Sequence, residues 1–328
     1  MVASSAFQLP EAGWIDVDGP VHYLEWPGPP ERTFVLVHGL GGSHLNWIRV
    51  APSLASRGRV IVVDLPGFGR TPLAGRRSAM YVGRRLLGEF VRHVADGRVV
   101  VVGNSMGGGY AMLVAAFEPD LVDGLVLTAS VFPWAPGGWP SPLVVGGFAL
   151  YRTPVLGDWL VRERFRRIDP ELLVRWGFRL TSRDPRSIPG DVIAAHVALL
   201  RERQRDADGA SAFVEAARSI LALGARPRLT SRVLDAIGCP VLVIHGTGDR
   251  LVPPAFARSA IERHPKWRYR FLPGVGHVPQ LEAPERWLEA VDEWLPLVGA
   301  ATDLRAGGGR RPTRRSRPTD PRARPASA

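Results

Sequence analysis

The chain alternates between short runs of consecutive apolar residues and longer stretches in which apolar positions recur every three or four residues. TFVLVH at 33–38, RVIVVD at 59–64, RVVVVG at 98–103, GLVLTAS at 124–130, CPVLVIHG at 239–246 and RYRFLPG at 268–274 are rich in β-branched residues and short, the signature of strands. Runs that are apolar at every position, rather than at alternate ones, predict strands covered on both faces, and hence a mostly parallel sheet between two layers of helices. WIDV and VHYLEWPG near the start read as an antiparallel pair at the sheet edge, which brings the strands to eight. No internal repeat is evident.

One interval breaks this rhythm. Between LTAS and CPVLVIHG, about a hundred residues carry Trp and Arg at helical spacing with few strand signals. The expected organisation is therefore a core in two parts, 1–132 and 226–298, with a helical insertion at 133–225 covering the carboxyl edge of the sheet. The remaining segment, 299–328, is rich in Gly, Pro and Arg and is expected to be disordered.

Composition changes this picture little. At 328 residues, 45% hydrophobic and 22% charged, the chain is long enough to bury a large core. A single cysteine, Cys239, excludes an internal disulfide and reads as a small buried thiol. The start of the chain lacks the basic and apolar regions of a secretory signal, and the longest greasy stretch, PLVVGGFALY at 142–151, is half the length of a membrane span. A cytoplasmic location is expected. The net charge of +11 is uneven: the last thirty residues hold eight Arg against two Asp. No aromatic residues interleave those arginines, so specific nucleic-acid binding is not expected.

Chemistry concentrates at three places. Gly103-Asn104-Ser105-Met106-Gly107 follows four valines and precedes a helical pattern, which is the strand–turn–helix setting of a nucleophile elbow. It lacks the spacing of a phosphate-binding loop. A nucleophilic serine needs a base and a group to orient that base. In an open α/β sheet the reacting groups gather at the carboxyl ends of strands. Asp249, just past PVLVIHG, and His277, just past RYRFLPG, satisfy this rule. Asp235 and His264 precede their strands, and His245 lies inside one, where a packed core histidine is expected. His38 reads as an anchor for the loop that follows it, Asp64 and Arg70 as setting a turn, and Glu282 and Pro284 as the start of the last helix.

With these motifs in place the chain resembles an α/β-hydrolase over residues 14–298. VHGLGGS is similar to that family's oxyanion-hole loop, DLPGFGRT to its following turn, GNSMGG to its elbow, GTGDRLVP to its acid loop and GHVPQLEAPE to its histidine loop. The resemblance implies an α/β-hydrolase fold: a mostly parallel eight-stranded sheet, helices on both faces, and a helical cap inserted after the sixth strand. It also implies a Ser105-Asp249-His277 triad, with the backbone N–H groups of Leu40 and Met106 as oxyanion donors. No metal or organic cofactor is needed for such chemistry.

Serine at the elbow argues against the dehalogenase and epoxide-hydrolase members, whose elbows carry Asp. A small to medium apolar ester or related acyl compound is the expected substrate. GNSMGG is also similar to the elbow of meta-cleavage carbon–carbon hydrolases, but Val278 stands where those enzymes typically carry Trp. A non-catalytic ligand receptor on the same fold is the third reading. Gly39, Gly41, Trp134, Trp139, Phe148 and Val278 are the candidates for contacting substrate, with Trp159 and Trp176 further along the insertion. Arg162, Arg164, Arg166 and Arg167 are candidates for a substrate carboxylate. The apolar 142–151 stretch leaves weak contact with a lipid interface open. Oligomeric state is not legible.

Overall fold

A computed structural model describes residues 8–153, 155–204 and 208–307. Its centre is one eight-stranded sheet: β1 Ala12–Asp16, β2 Pro20–Trp26, β3 Thr33–Val37, β4 Arg59–Val63, β5 Val99–Asn104, β6 Val122–Thr128, β7 Val241–Gly246 and β8 Arg268–Leu272. The strands lie in the order β1-β2-β4-β3-β5-β6-β7-β8. β1 and β2 pair antiparallel, β2 runs antiparallel to β4, and every other pair is parallel. The β6 strand begins and ends two residues earlier than its apolar run suggests.

The continuous apolar runs are explained by two cores, one on each face. Side chains alternate across a strand, so Val35, Val37, Ile61, Val63, Val99 and Val101 enter one cluster. Phe34, Leu36, Val60, Val62, Val100 and Val102 enter the other. Fully burying such a side chain contributes about 1.5–3 kcal/mol, and a parallel strand uses both of its faces this way.

The helices are α1 Ala51–Leu54, α2 Met80–Val94, α3 Met106–Phe117, α4 Pro142–Arg152, α5 Leu156–Arg167, α6 Pro170–Thr181, α7 Gly190–Arg203, α8 Gly209–Gly224, α9 Pro227–Asp235, α10 Pro254–Arg263, α11 Pro279–Glu282 and α12 Pro284–Gly307. Residues of α2, α3, α9 and α10 fill the first core, and α1 with Trp287, Val291 and Trp294 of α12 fills the second. Trp287 Nε1 donates to Thr128 Oγ1 at 2.9 Å, which fixes α12 under β6.

The helices α4 to α8 all lie between β6 and β7 in the chain, the place of a cap. Of these, α8 also reaches the core. Its Ala212 and Ala216 are buried in the first cluster, and its Ser219 Oγ accepts from Met80 N at 3.1 Å.

One boundary differs from expectation. The terminal helix does not stop at 298 but runs to Gly307. The stretch GAATDLRAG contains strong helix formers and ends on a run of glycines, which suits a helix and its stop. The rest of the expected tail, 308–328, lies outside the described residues.

Candidate active site

Because β3, β5, β7 and β8 are parallel, the loops after them emerge at one edge of the sheet. That edge brings together Gly39–Leu40, Ser105, Asp249 and His277. The rejected pair, Asp235 and His264, lies at the starts of β7 and β8, where the two side chains approach each other at 3.6 Å.

Ser105 joins β5 to α3 with φ of 54° and ψ of −116°. A positive φ costs a non-glycine residue of order 1–3 kcal/mol and persists only where its surroundings impose it. They do so here. Ser105 N donates to Thr128 O at 2.9 Å. Gly103 and Gly107 allow the tight turn, since a Cβ on Gly103 would sit 2.4 Å from Gly107 backbone and one on Gly107 would sit 2.2 Å from Val37 O. Met106 opens α3, so its N–H belongs to the first turn of a helix, where donors have no intrahelical partner.

The Gly39–Gly42 turn is closed by Gly42 N donating to Gly39 O at 3.1 Å. Gly41 has φ of 70° at the third position, the conformation for which this turn type requires glycine. Leu40 occupies the second position, whose N–H the turn itself does not use. His38 holds the turn from behind. Its Nδ1–H donates to Gly39 O at 2.7 Å, and its Nε2 accepts from Leu65 N at 3.1 Å. Both bonds require a neutral ring, and burial pushes the His38 pKa down to about 4 against the pull of Asp64 and Gly39. His38 is thus an anchor.

His277 Nδ1–H donates to Asp249 Oδ2 at 2.7 Å, and both side chains are buried. Asp249 Oδ1 accepts from Leu251 N at 2.8 Å and Val252 N at 3.0 Å. Burial alone would raise the Asp249 pKa. The His277 charge and the hydrogen bonds from His245 and His277 outweigh it and hold the carboxyl well below the usual range. The Asp249 carboxylate is therefore ionised at neutral pH.

Two features tie this loop to its surroundings. Asn104, adjacent to Ser105, donates through Nδ2 to His277 O at 3.2 Å and Thr128 O at 3.1 Å. His277 N in turn donates to Thr181 O at the end of α6, at 2.6 Å.

Several residues here were not singled out for these roles by the sequence. His245 is buried in β7, but its Nε2 lies 3.2 Å from Asp249 Oδ2 and 3.0 Å from Val252 O. The only sequence signal for it is its spacing, four residues before Asp249. Glu282 ends α11 rather than starting the last helix, which begins at Pro284. Its carboxylate accepts from Arg183 N at 3.0 Å, Asp184 N at 3.2 Å and Gly276 N at 3.0 Å, joining the chain after α6 to the histidine loop. Burial raises the Glu282 pKa in opposition to these N–H groups.

Asp64 does set the turn with Arg70, whose N–H it accepts at 2.9 Å. It also accepts from His22 Nδ1 and His44 Nδ1, each at 2.8 Å. His22, His44 and Asp64 have ligating atoms within 4.8 Å of one another, a donor set of the type that binds metals. In this arrangement those atoms are hydrogen-bonded to each other, and His44 N at 2.6 Å completes the carboxylate's partners.

A cavity of about 280 Å³ opens beside Gly41, between the Gly39–Gly42 turn and helices α5, α7 and α8. Phe68, Phe165, Phe213 and Leu200 give it an apolar wall, and Arg162, Arg166 and Arg203 a cationic one. Phe148 connects to it through Tyr151, which packs edge-on to Phe213. Gly39 lies against Ser105, where an added Cβ would be 3.1 Å from the serine Cβ. Val278 is buried with Leu45, Ile48 and Phe178 in a third cluster. Trp134 and Trp139 pack edge-on to each other at an exposed position, and neither lines this cavity. Of the four clustered arginines Arg162 and Arg166 line the cavity, Arg166 while paired with Glu163; Arg164 approaches Tyr151 and Arg167 also pairs with Glu163.

Comparison with known proteins agrees with this architecture. The family model for the alpha/beta hydrolase fold matches residues 32–284. The pimeloyl-[acyl-carrier protein] methyl ester esterase of Aeromonas hydrophila is 31% identical over 266 residues, covering 80% of this chain and 94% of that protein. The 2-hydroxy-6-oxo-6-(2'-aminophenyl)hexa-2,4-dienoic acid hydrolase of Metapseudomonas resinovorans is 28% identical over 269 residues, covering 80% and 83%. A thermophilic esterase from Thermogutta terrifontis superposes with a TM-score of 0.64 at 24% identity, covering 88% of this chain and 99% of the other. The chain belongs to the α/β-hydrolase fold family.

Proposed function

We propose that the protein is a serine hydrolase that cleaves a carboxylic ester through an acyl-enzyme on Ser105. The observation that carries this reading is the His277–Asp249 hydrogen bond at 2.7 Å, held beside the strained Ser105 turn through Asn104. His277, with Nδ1–H committed to an ionised carboxylate, has Nε2 as its base. It takes the Ser105 proton as Oγ attacks the acyl carbon, then returns it to the departing alcohol. Asp249 keeps the tautomer and stabilises the imidazolium. Leu40 N–H and Met106 N–H receive the developing oxyanion, each worth about 2.7–4 kcal/mol where such donors have been removed. Water activated by His277 then releases the acid.

The cavity beside Gly41 favours a substrate with an apolar body and an acidic end, because aromatic side chains and arginines share its wall. That joins the small to medium apolar ester expected from the sequence with the substrate carboxylate for which the clustered arginines are candidates. The esterase relative supports the ester reading. Carbon–carbon hydrolysis is the second reading, favoured by the GNSMGG elbow and the dienoic acid hydrolase relative.

Fluorophosphonate labelling tests the nucleophile. Wild-type protein is expected to be labelled at Ser105 and Ser105→Ala to remain unlabelled. A well-folded wild type that resists the label would leave the ligand-receptor reading standing instead. Labelled enzyme is then given p-nitrophenyl esters and a vinylogous diketone side by side. Ester turnover with an inert diketone is expected; the reverse would install the carbon–carbon reading.

A further inference from the structure

Among the described residues, seventeen large hydrophobic side chains stand exposed, and eight of them fall between Trp134 and Trp159. Trp139 is 77% exposed, Leu143 74%, Val155 80% and Trp159 54%. The helix α4 is apolar along nearly its whole length, yet Val144 is its one buried residue. It packs beside α5, and both rest on α8, so this hairpin presents its other side outward. Monomeric proteins seldom expose so much contiguous apolar side chain without a partner for it.

The charge on the same segment selects the partner. Residues 134–167 contain five arginines and two acids. Both acids are already paired, Asp158 with Arg218 and Glu163 with Arg166 and Arg167. Arg152 and Arg162 remain exposed. Two copies of this face brought together about a two-fold axis would set arginines against arginines. An anionic lipid surface complements it instead. Tryptophan with aliphatic side chains, bordered by arginines, is the composition that settles at the boundary between headgroups and acyl chains. The face also adjoins the candidate catalytic edge, because Ser141 N donates to Arg250 O at 3.0 Å, one residue from Asp249.

We propose that the α4–α5 face, with the loop carrying Trp134 and Trp139, docks on the surface of an anionic phospholipid membrane. Trp139, Leu143, Val155 and Trp159 enter the interface, and Arg152 meets the headgroups. The chain does not need to span the bilayer, and among the described residues no helix is long and apolar enough to do so.

Co-sedimentation of the full chain with vesicles of phosphatidylcholine, alone or mixed with phosphatidylglycerol, tests this. Binding is expected to the mixed vesicles and to weaken at high salt. The combined substitutions Leu143→Ser, Val155→Ser and Trp159→Ser are expected to lower partitioning about tenfold or more. Because the arginine-rich end is the same in both proteins, that difference reports the α4–α5 face. A second measurement does not depend on how the triple variant folds. Brominated lipids should quench wild-type tryptophan fluorescence, and residues 299–328 contain no Trp to contribute. Trp139→Phe with Trp159→Phe should remove most of that quenching. The proposal fails if wild type ignores anionic vesicles, or if it binds them without quenching. It fails equally if wild type is a dimer that the triple substitution makes monomeric, since the face would then belong to a second copy.

Discussion

Asp249 and Asp64 are two buried carboxylates with nearly the same set of partners. Each accepts hydrogen bonds from two imidazoles and from two backbone N–H groups: His277, His245, Leu251 and Val252 at Asp249, and His22, His44, His44 backbone and Arg70 at Asp64. Both are held in the ionised form by those imidazoles despite burial. What differs is where the remaining imidazole nitrogen goes. His277 stands in a loop tied by its backbone oxygen to Asn104, the residue before Ser105. His22 sits within β2 under the edge of Trp14, and its Nε2 is buried without a partner. A His–Asp pair is therefore not a proton relay by itself. It becomes one where the second nitrogen meets a group that reacts.

The comparison breaks most visibly on matched substitutions. Asp249→Asn should lower kcat about 10⁴-fold, since the amide favours the wrong His277 tautomer, in addition to a stability loss like that of the matched Asp64 change. Asp64→Asn should lose stability with little loss of turnover per folded molecule. It leaves two buried imidazoles and two N–H groups competing for one oxygen, which should cost about 3 kcal/mol or more of stability. Urea midpoints and ester turnover per folded molecule check both. If Asp64→Asn loses activity as deeply as Asp249→Asn while staying folded, the division between the two sites is wrong.

The two sites were not equally legible. The strands of the candidate catalytic edge announce themselves because both faces of a parallel strand are apolar, and their carboxyl ends pick out Ser105, Asp249 and His277. The imidazoles on Asp64, and the grip of Glu282 on the chain after α6, depend on neighbours far away in sequence. His22 and Asp64 are 42 residues apart and Arg183 and Glu282 are 99 apart. No local pattern records such meetings. The exposure of Trp134 and Trp139 was hidden for a related reason: they lie in the loop before α4, and the sequence says that they are large and apolar but not which way that loop turns them. The helix to Gly307 was hidden by its setting, because a few helix formers are outweighed by the Gly, Pro and Arg that follow.

The pH dependence of stability separates the carboxylates from the histidine beside them. His38 is neutral in the folded protein down to about pH 4, whereas an unfolded histidine takes up its proton near 6.5. The unfolded chain thus binds the proton first as pH falls. Stability should drop between about pH 6.5 and 4, by up to about 3 kcal/mol from this residue, and the loss should level off below that. Asp64 and Asp249 act later. Their folded pKa values are depressed, so their contribution is complete above the ordinary aspartate value of about 3.9 and is lost only as pH falls below it. Urea midpoints of wild type and His38→Gln across this range give the test. Equal slopes in the two proteins would mean that His38 is not the group responsible.

The smallest expected effect bears on the closest likeness between the two sites, the second imidazole. His245 Nε2–H is shared between Val252 O and Asp249 Oδ2. It steadies the same oxygen, Oδ2, that His277 uses, although His277 and two backbone N–H groups hold Asp249 without it. A hydrogen bond to a charged group is worth about 1.5–3 kcal/mol when direct, and at 3.2 Å and shared this one should lie at or below the lower end. His245→Phe should therefore reduce kcat about tenfold, with little change in KM because the ring does not line the cavity beside Gly41. His245→Gln, whose amide can carry an N–H to a similar position, should recover most of the rate. A phenylalanine variant as fast as wild type would reduce His245 to packing, and Asp249 would then depend on one imidazole where Asp64 depends on two. If both variants instead lose stability and activity together, the second imidazole serves the same structural purpose at both carboxylates, and the catalytic edge differs from the Asp64 knot in His277 alone.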